Sequence, residues 1–211
     1  LAIKGIAYAN KEKGKHIITS KIEHNAVLNS CERLEEQGFE ITYLNVDQNG
    51  FVNLEELKNA IREDTILITI MFANNEVGTI EPVEKIAEIA KNNNIIFHTD
   101  AVQAIGNVRI DVRKIGIDAL SMSAHKFYGP KGIGALYVRD DVNFQRIQDG
   151  GHQERDKRAG TENVAEIVGM GKAIEMSYKN FDEHCNYLRD LRDYYIAKVE
   201  REIPNAKLNG D

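Results

Sequence analysis

Polar residues cluster at four places in this sequence, each just after a predicted strand. The clusters are His24, residues 74–76 (NNE), Asp100 with Gln103, and residues 123–126 (SAHK). Ligands of a doubly wound sheet bind beyond the carboxyl ends of its strands, so these side chains are candidates for one common site. Any one of them alone is more often a cap, a turn residue or a structural histidine. Four such clusters together favour a functional site.

Lys126 suggests a particular chemistry. It follows a strand that we expect to be buried, and it precedes residues 129–134 (GPKGIG), whose glycines permit close approach of the backbone. A lysine amine that is desolvated or lies near positive charge forms Schiff bases with carbonyl substrates and with pyridoxal phosphate. The pyridine nitrogen of that cofactor needs a carboxylate to hold its proton, and Asp100, at the end of a neighbouring predicted strand, fits this part.

Two interpretations compete with the Schiff-base role of Lys126, and the residues exclude one of them. Lys126 could be an ordinary solvated loop lysine, and that alternative stays open on the residues alone. A nucleotide-binding phosphate loop is excluded, because residues 129–134 are not followed by the Lys-[Ser/Thr] pair that ends the Gly-x4-Gly-Lys-[Ser/Thr] motif.

Short apolar segments alternate with helical patterns from residue 16 to residue 138, which predicts an α/β domain with a mostly parallel sheet. Predicted strands cover 16–19, 39–46, 66–72, 95–99, 119–123 and 134–138. Predicted helices cover 23–37, 54–62, 82–92, 111–115, 162–177 and 181–202, and residues 1–8 resemble part of an amphipathic helix. The 211 residues fit one main domain.

Composition narrows the classes of partner. The chain has 27 Lys and Arg against 33 Asp and Glu, a formal charge of −6, which argues against nucleic acid and anionic membranes as partners. The longest apolar run, residues 65–73, is far shorter than the roughly 20 residues of a membrane helix. Two cysteines without metal-site spacing predict no metal site and favour a reducing, cytoplasmic location.

Five strings, in order along the chain, resemble the NifS/IscS cysteine desulfurases. They are residues 20–27 (SKIEHNAV), 74–78 (NNEVG), 98–103 (HTDAVQ), 121–134 (SMSAHKFYGPKGIG) and 158–163 (RAGTEN). The resemblance implies a fold-type I pyridoxal-phosphate enzyme with a three-layer α/β/α large domain. It places that domain at residues 1–202, with its N-terminal part missing, and the start of a small C-terminal domain at residues 203–211.

The resemblance also assigns the residues around the cofactor ring. Lys126 matches the Schiff-base lysine, and Asp100 matches the partner of the pyridine nitrogen. Gln103 matches the donor to the phenolic oxygen. His24 matches the imidazole that stacks on the ring and moves protons. Asn75 matches the residue near the phenolic oxygen and the substrate.

Three further positions match ligands of the cofactor's phosphate. Ser123 and His125 match phosphate ligands of the same subunit, whereas Thr161 matches a ligand that the second subunit of a homodimer supplies. Thr161 is also the expected N-cap of the helix that includes Val164, and both roles are compatible.

The expected activity is conversion of L-cysteine to L-alanine, with the sulfur passing through an enzyme persulfide to a scaffold protein that builds iron–sulfur clusters. The family's persulfide-forming cysteine is expected beyond Asp211, and a phosphate-binding Gly-Ala-Thr-Glu segment before Leu1. The arginine that holds the substrate carboxylate is expected in the small domain. Cys31 and Cys185 are both expected to be buried, inert thiols, so the 211 residues alone are expected to be inactive.

Two alternatives stay open. The same lysine and aspartate pair serves aminotransferases and selenocysteine lyases, and fold does not fix function. The chain could also be a catalytically silent domain that acts as a dimerisation or binding module.

Overall fold

The computed structural model describes residues 1–210, which form six strands and the helices around them. The strands are β1 (His16–Ser20), β2 (Glu40–Leu44), β3 (Thr65–Thr69), β4 (Ile96–Asp100), β5 (Ala119–Ser123) and β6 (Gly134–Val138). The helices are α1 (Ala2–Asn10), α2 (Asn25–Glu35), α3 (Leu54–Ala60), α4 (Val83–Asn92), α5 (Val112–Ile115), α6 (Gln153–Asp156), α7 (Val164–Lys179) and α8 (Phe181–Glu202). A 3-10 helix, Ala124–Phe127, follows β5 directly.

The strands form one sheet in the order β2-β1-β3-β4-β5-β6. The first five are parallel, and β6 pairs antiparallel with β5. The prediction of a mostly parallel α/β sheet is therefore confirmed. The chain moves from β1 outward to β2 and then returns past β1 to β3, so the topological switch point lies between β1 and β3.

The sheet separates two apolar cores. Successive residues of a strand point to opposite faces, so Ile17 and Ile18, both fully buried, belong to different cores. One core includes Leu34 of α2, and the other includes Ile86 of α4. These two covered faces give the three layers that the motifs imply.

The strand leading to the candidate site is shorter than predicted. The apolar run predicts a strand over 66–72, whereas β3 ends at Thr69. The chain stays extended beyond it, because the amides of Ile70 and Phe72 donate to the carbonyls of His98 and Asp100. Residues 70–72 therefore continue alongside β4 beyond the carboxyl end of β3 and lead to Asn74.

The two cysteines differ in their surroundings. Cys31, a residue of α2, is fully buried, as predicted, and burial raises the pKa of its thiol to about 12. The prediction of a buried Cys185 is wrong. Cys185 is only half-buried, because α8 packs on the domain mainly through Phe181, and its thiol donates to the carbonyl of Asn107 at 3.6 Å.

Residues 1–210 contain neither a membrane-spanning helix nor a cluster of metal ligands. None of the helices in this range combines the length and apolarity needed to cross a bilayer. Within the same range, no group of three or more His, Cys, Asp and Glu side chains is arranged to hold a metal ion. The boundary of the large domain at residue 202 coincides with the end of α8 and stays a prediction.

Candidate active site

The carboxyl ends of the parallel strands bring most of the predicted site residues to one edge of the sheet. Asp100 is the last residue of β4, and Ser123 is the last residue of β5. His24 follows β1 after a short turn, and Asn75 follows the extension of β3. Parallel strands end on the same side, so this edge collects side chains that are far apart in sequence.

Asp100 is a buried residue with one carboxyl oxygen engaged in a hydrogen bond to the backbone. The residue is 9% exposed, and its Oδ1 accepts a hydrogen bond from the Val102 N–H at 3.0 Å. Burial raises the pKa of Asp100, while this hydrogen bond and the nearby His24 act in the opposite direction. Among residues 1–210, no hydrogen bond reaches Oδ2, so that oxygen can accept a proton donor from a ligand.

His98 lies on the same strand as Asp100 and was not singled out for a role by the sequence analysis. Its Nδ1 lies 2.8 Å from Thr69 Oγ1 on β3, and its Nε2 lies 2.8 Å from Ser121 Oγ on β5. Burial lowers the pKa of His98 to about 3, so the ring is neutral and bridges three strands. Its position two residues before Asp100, on the same face of β4, is the signal that identifies it.

Lys126 projects from the 3-10 helix that sequence periodicity missed. Side chains three residues apart eclipse one another in a 3-10 helix, so Ala124 and Phe127 share the buried side. His125 and Lys126, between them, are exposed. Within the part of the chain that the structure describes, the Lys126 amine makes no hydrogen bond or ion pair, so no protein group occupies it.

Close approach of the backbone closes the turn after Lys126. The Gly129 N–H donates to the Ala124 carbonyl at 2.9 Å. A Cβ on Gly129 would lie 2.9 Å from the Ala124 Cβ and 3.0 Å from that carbonyl oxygen, which is too close. Glycine is therefore needed at 129, as the sequence analysis expected of this loop.

Ser123 and His125 form a polar pair at the end of β5. The Ser123 hydroxyl lies 2.8 Å from Nδ1 of His125. One hydrogen lies between these two atoms, so with a neutral imidazole the pair has one hydrogen left to donate to an anion, from the Ser123 hydroxyl or from Nε2 of His125. The pair stands beside Lys126, so the same short segment offers a polar pair and an amine.

A cavity of about 540 Å³ adjoins this segment. Gln103, Lys126 and Tyr128 line it on the sheet side, and Met176 and His184 line it on the side of α7 and α8. Gln103 and Lys126, which the sequence analysis assigned to one cofactor, therefore face a shared space.

His24 and Asn75 are exposed at the same edge. His24 occupies the N-cap of α2, and its Nδ1 accepts from the Ala26 N–H at 3.1 Å, which leaves Nε2 to carry the ring hydrogen. Asn75 follows the buried Asn74, whose Oδ1 accepts from the N–H groups of Glu76 and Val77 and so shapes the turn. The two exposed side chains are thus held on ordered turns.

Thr161 is placed differently from the other candidates. It is exposed before α7, and among residues 1–210 no hydrogen bond joins it to the other candidate residues. The expectation that Thr161 caps this helix is wrong, because Asn163 occupies the cap position and makes no side-chain cap bond. The backbone of Thr161 lies too far before Val164 to cap it.

Comparison with proteins of known sequence finds relatives among the cysteine desulfurases. The chain is 60% identical over 209 residues to cysteine desulfurase IscS of Clostridium botulinum strain Hall, covering 99% of this chain and 53% of that protein. It is 61% identical over 209 residues to cysteine desulfurase IscS of Methanosarcina thermophila, covering 99% of this chain and 52% of that protein. The chain therefore spans about half the length of these relatives.

Solved structures agree with the sequence relatives. A NifS-like protein matches with a TM-score of 0.92 at 42% identity, covering 95% of this chain and 55% of that one. The structure of SspA in complex with cysteine matches with a TM-score of 0.79 at 48% identity, covering 82% and 51%. These likenesses confirm the expected resemblance and fold. Since the family match covers residues 1–211, the chain belongs to the aminotransferase class-V family.

Proposed function

We propose that the full-length protein is a pyridoxal-phosphate-dependent cysteine desulfurase that converts L-cysteine to L-alanine and passes the sulfur to an acceptor protein. The observation that carries the proposal is the placement of Asp100 at the end of β4 and of Lys126 in the 3-10 helix that directly follows the adjacent strand β5. The 60% identity to a cysteine desulfurase narrows the reaction class. The proposed acceptor is a scaffold for iron–sulfur clusters.

The residues at the sheet edge fit pyridoxal phosphate. Oδ2 of Asp100 can accept the proton of the ring nitrogen, because the hydrogen bonds among residues 1–210 use only Oδ1. Lys126 would hold the cofactor through its free amine, and Gln103 would donate to the phenolic oxygen. Ser123 and His125 would bind the phosphate, to which the pair can donate a hydrogen bond at the end of β5.

Each residue then has a defined part in the reaction. When bound, pyridoxal phosphate supplies an electron sink for the electrons left behind when the substrate's α-proton departs. Asp100 would keep the ring nitrogen protonated, Lys126 would take the α-proton, and His24 would move protons through its Nε2. Asn75 would orient the substrate near the phenolic oxygen.

We propose that neither cysteine within the 211 residues accepts the sulfur. Cys31 is fully buried, and its raised pKa disfavours the thiolate that the step requires. Cys185 lies on α8 with its thiol bonded to the Asn107 carbonyl. The sulfur-accepting cysteine of the full-length protein is therefore proposed to lie elsewhere.

A homodimer is part of the proposal. Thr161 is exposed and unbonded within the described part of the chain, which suits a residue that would reach the phosphate of a second subunit. Substituting Thr161 with alanine is expected to weaken cofactor binding in the dimer without disturbing the fold of either subunit.

The test is reduction of the full-length protein with borohydride in the presence of pyridoxal phosphate, followed by peptide mapping. The label is expected on Lys126 and is expected to be absent in Lys126→Ala. Incubation with L-cysteine is expected to release alanine and sulfide in equal amounts under reducing conditions. A label on another lysine, or a product formed only when a 2-oxo acid is added, would contradict the proposal, and the second outcome would indicate an aminotransferase.

A further inference from the structure

Glu23 is a buried carboxyl at the switch point of the sheet, beside the candidate site. The residue is 5% exposed, and its Oε1 accepts from Ser20 Oγ at 2.7 Å and from the Met71 N–H at 2.9 Å. Ser20 ends β1, and Met71 belongs to the extension of β3. One carboxyl oxygen therefore joins the ends of two strands that meet where the topology reverses.

A second contact ties the same turn to the same segment. The side-chain amide of Asn74 donates to the Ile22 carbonyl at 3.0 Å. The turn between β1 and α2 is thus fastened through Ile22 and Glu23 to Met71 and Asn74. His24 is the next residue, so the backbone that carries its ring is fixed by these contacts.

The second oxygen of Glu23 indicates an uncharged acid. Oε2 is buried and has no hydrogen-bond partner among residues 1–210. A charged oxygen in that position would be strongly disfavoured. Burial raises the pKa of Glu23 to about 8, and the neighbouring carboxyls of Asp100 and Glu81 act in the same direction. A glutamine side chain has nearly the same shape and the same accepting oxygen as a neutral glutamic acid.

We propose that Glu23 is a positioning residue, which holds the β1–α2 turn against β3 and thereby fixes the His24 ring at the edge that Asp100 occupies. The proposal rests on the proposed function only in giving His24 a part in the reaction. The positional part of the inference is independent of that function.

Hydrogen exchange of the full-length protein without cofactor tests the positional part. Glu23→Ala is expected to raise the exchange rate of the Met71 and Ala26 amides by about tenfold or more, because their acceptors are removed or displaced. Glu23→Gln is expected to leave both rates close to those of the parent. Unchanged rates at Met71 and Ala26 in Glu23→Ala would overturn the proposal.

Glu81 provides a matched control. It is also a buried glutamate, its Oε2 accepts from the Val52 N–H at 3.1 Å, and its Oε1 has no partner among residues 1–210. Glu81→Ala is expected to raise exchange at Val52 and not at Ala26. Faster exchange at Ala26 in this variant as well would mean that the effect of Glu23→Ala is general loosening, and would overturn the proposal.

A double-mutant cycle tests the part that concerns His24. Glu23→Ala is expected to lower kcat for alanine release about tenfold with little change in KM, and to have almost no further effect in a His24→Ala background. Glu23→Gln is expected to retain kcat. Equal losses in both backgrounds, or a Glu23→Gln variant as impaired as Glu23→Ala, would overturn the proposal.

Neither a variant that fails to fold nor an inactive parent protein prevents the test. If Glu23→Ala does not fold, Ser20→Ala removes one of the two donors to Oε1 and is expected to show the same pattern with smaller changes. If the parent protein releases no alanine from L-cysteine, the proposed function fails, while the exchange measurements still decide whether Glu23 fixes the turn.

Discussion

Replacing Asp100 with asparagine changes the charge of one buried side chain and nearly preserves its shape. The asparagine oxygen can still accept from the Val102 N–H, which Asp100 Oδ1 now does at 3.0 Å. The other atom becomes an amide nitrogen, which donates where Oδ2 would accept the proton of the ring nitrogen. The substitution therefore removes one charge-assisted hydrogen bond at the point where charge develops.

The expected effect on catalysis follows from that single lost contact. Removing a preorganised electrostatic group of this kind raises the barrier by about 3–4 kcal/mol, which corresponds to a fall in kcat of about a hundred- to a thousandfold. The assay is alanine release from L-cysteine by the full-length enzyme saturated with pyridoxal phosphate. Cofactor content, measured by absorbance, is expected to fall much less than kcat, because Lys126, Ser123 and His125 are unchanged.

Asp118 supplies the control for this substitution. Like Asp100 it is buried, it accepts a backbone hydrogen bond, from Phe97 at 2.9 Å, and burial raises its pKa. It precedes β5 and so lies at the opposite edge of the sheet. Asp118→Asn is expected to keep kcat within about threefold of the parent, since it removes no group at the site. Near-normal turnover in Asp100→Asn, or an equal loss in Asp118→Asn, would refute the reasoning.

Three further outcomes are expected. Because the pKa of Glu23 is about 8 in the folded protein and 4.5 in a free side chain, its contribution to stability is complete below pH 4.5 and is lost as the pH rises through 8. Denaturant unfolding across this range is expected to show a smaller fall of the unfolding free energy in Glu23→Gln than in the parent, since Glu81, Asp100 and Asp118 also have raised pKa values in both proteins; parallel curves would contradict it. Gly129→Ala places a Cβ 2.9 Å from that of Ala124 and is expected to lower the unfolding free energy by about 1–3 kcal/mol, measured by denaturant unfolding. Gly171→Ala is the control and is expected not to lower the unfolding free energy, because a Cβ there meets nothing within 4 Å. Ser123→Ala is expected to weaken pyridoxal phosphate binding several-fold, measured by fluorescence titration; unchanged affinity would remove Ser123 from the phosphate site.

The sequence was sufficient for the six strands in their order and for the residues at the strand ends, although it missed the 3-10 helix after β5 and helix α6. Each strand is a short apolar segment between turn residues, and this local pattern predicts where the chain reaches the sheet edge. Asp100 and Ser123 could be assigned in this way, because position relative to a strand end is a property of neighbouring residues. The core location of Cys31 followed from the apolar stripe of its helix for the same reason.

Other features depended on contacts between distant segments. Glu23 meets Met71 across 48 residues of sequence, and His98 bridges Thr69 and Ser121 on two other strands. Cys185 is only half-buried because little of α8 packs against the domain, and the periodicity of the α8 sequence does not reveal this. Hydrogen bonding and burial of this kind arise only when the sheet assembles, because the partners of a buried polar group are chosen by tertiary packing and not by the adjacent sequence.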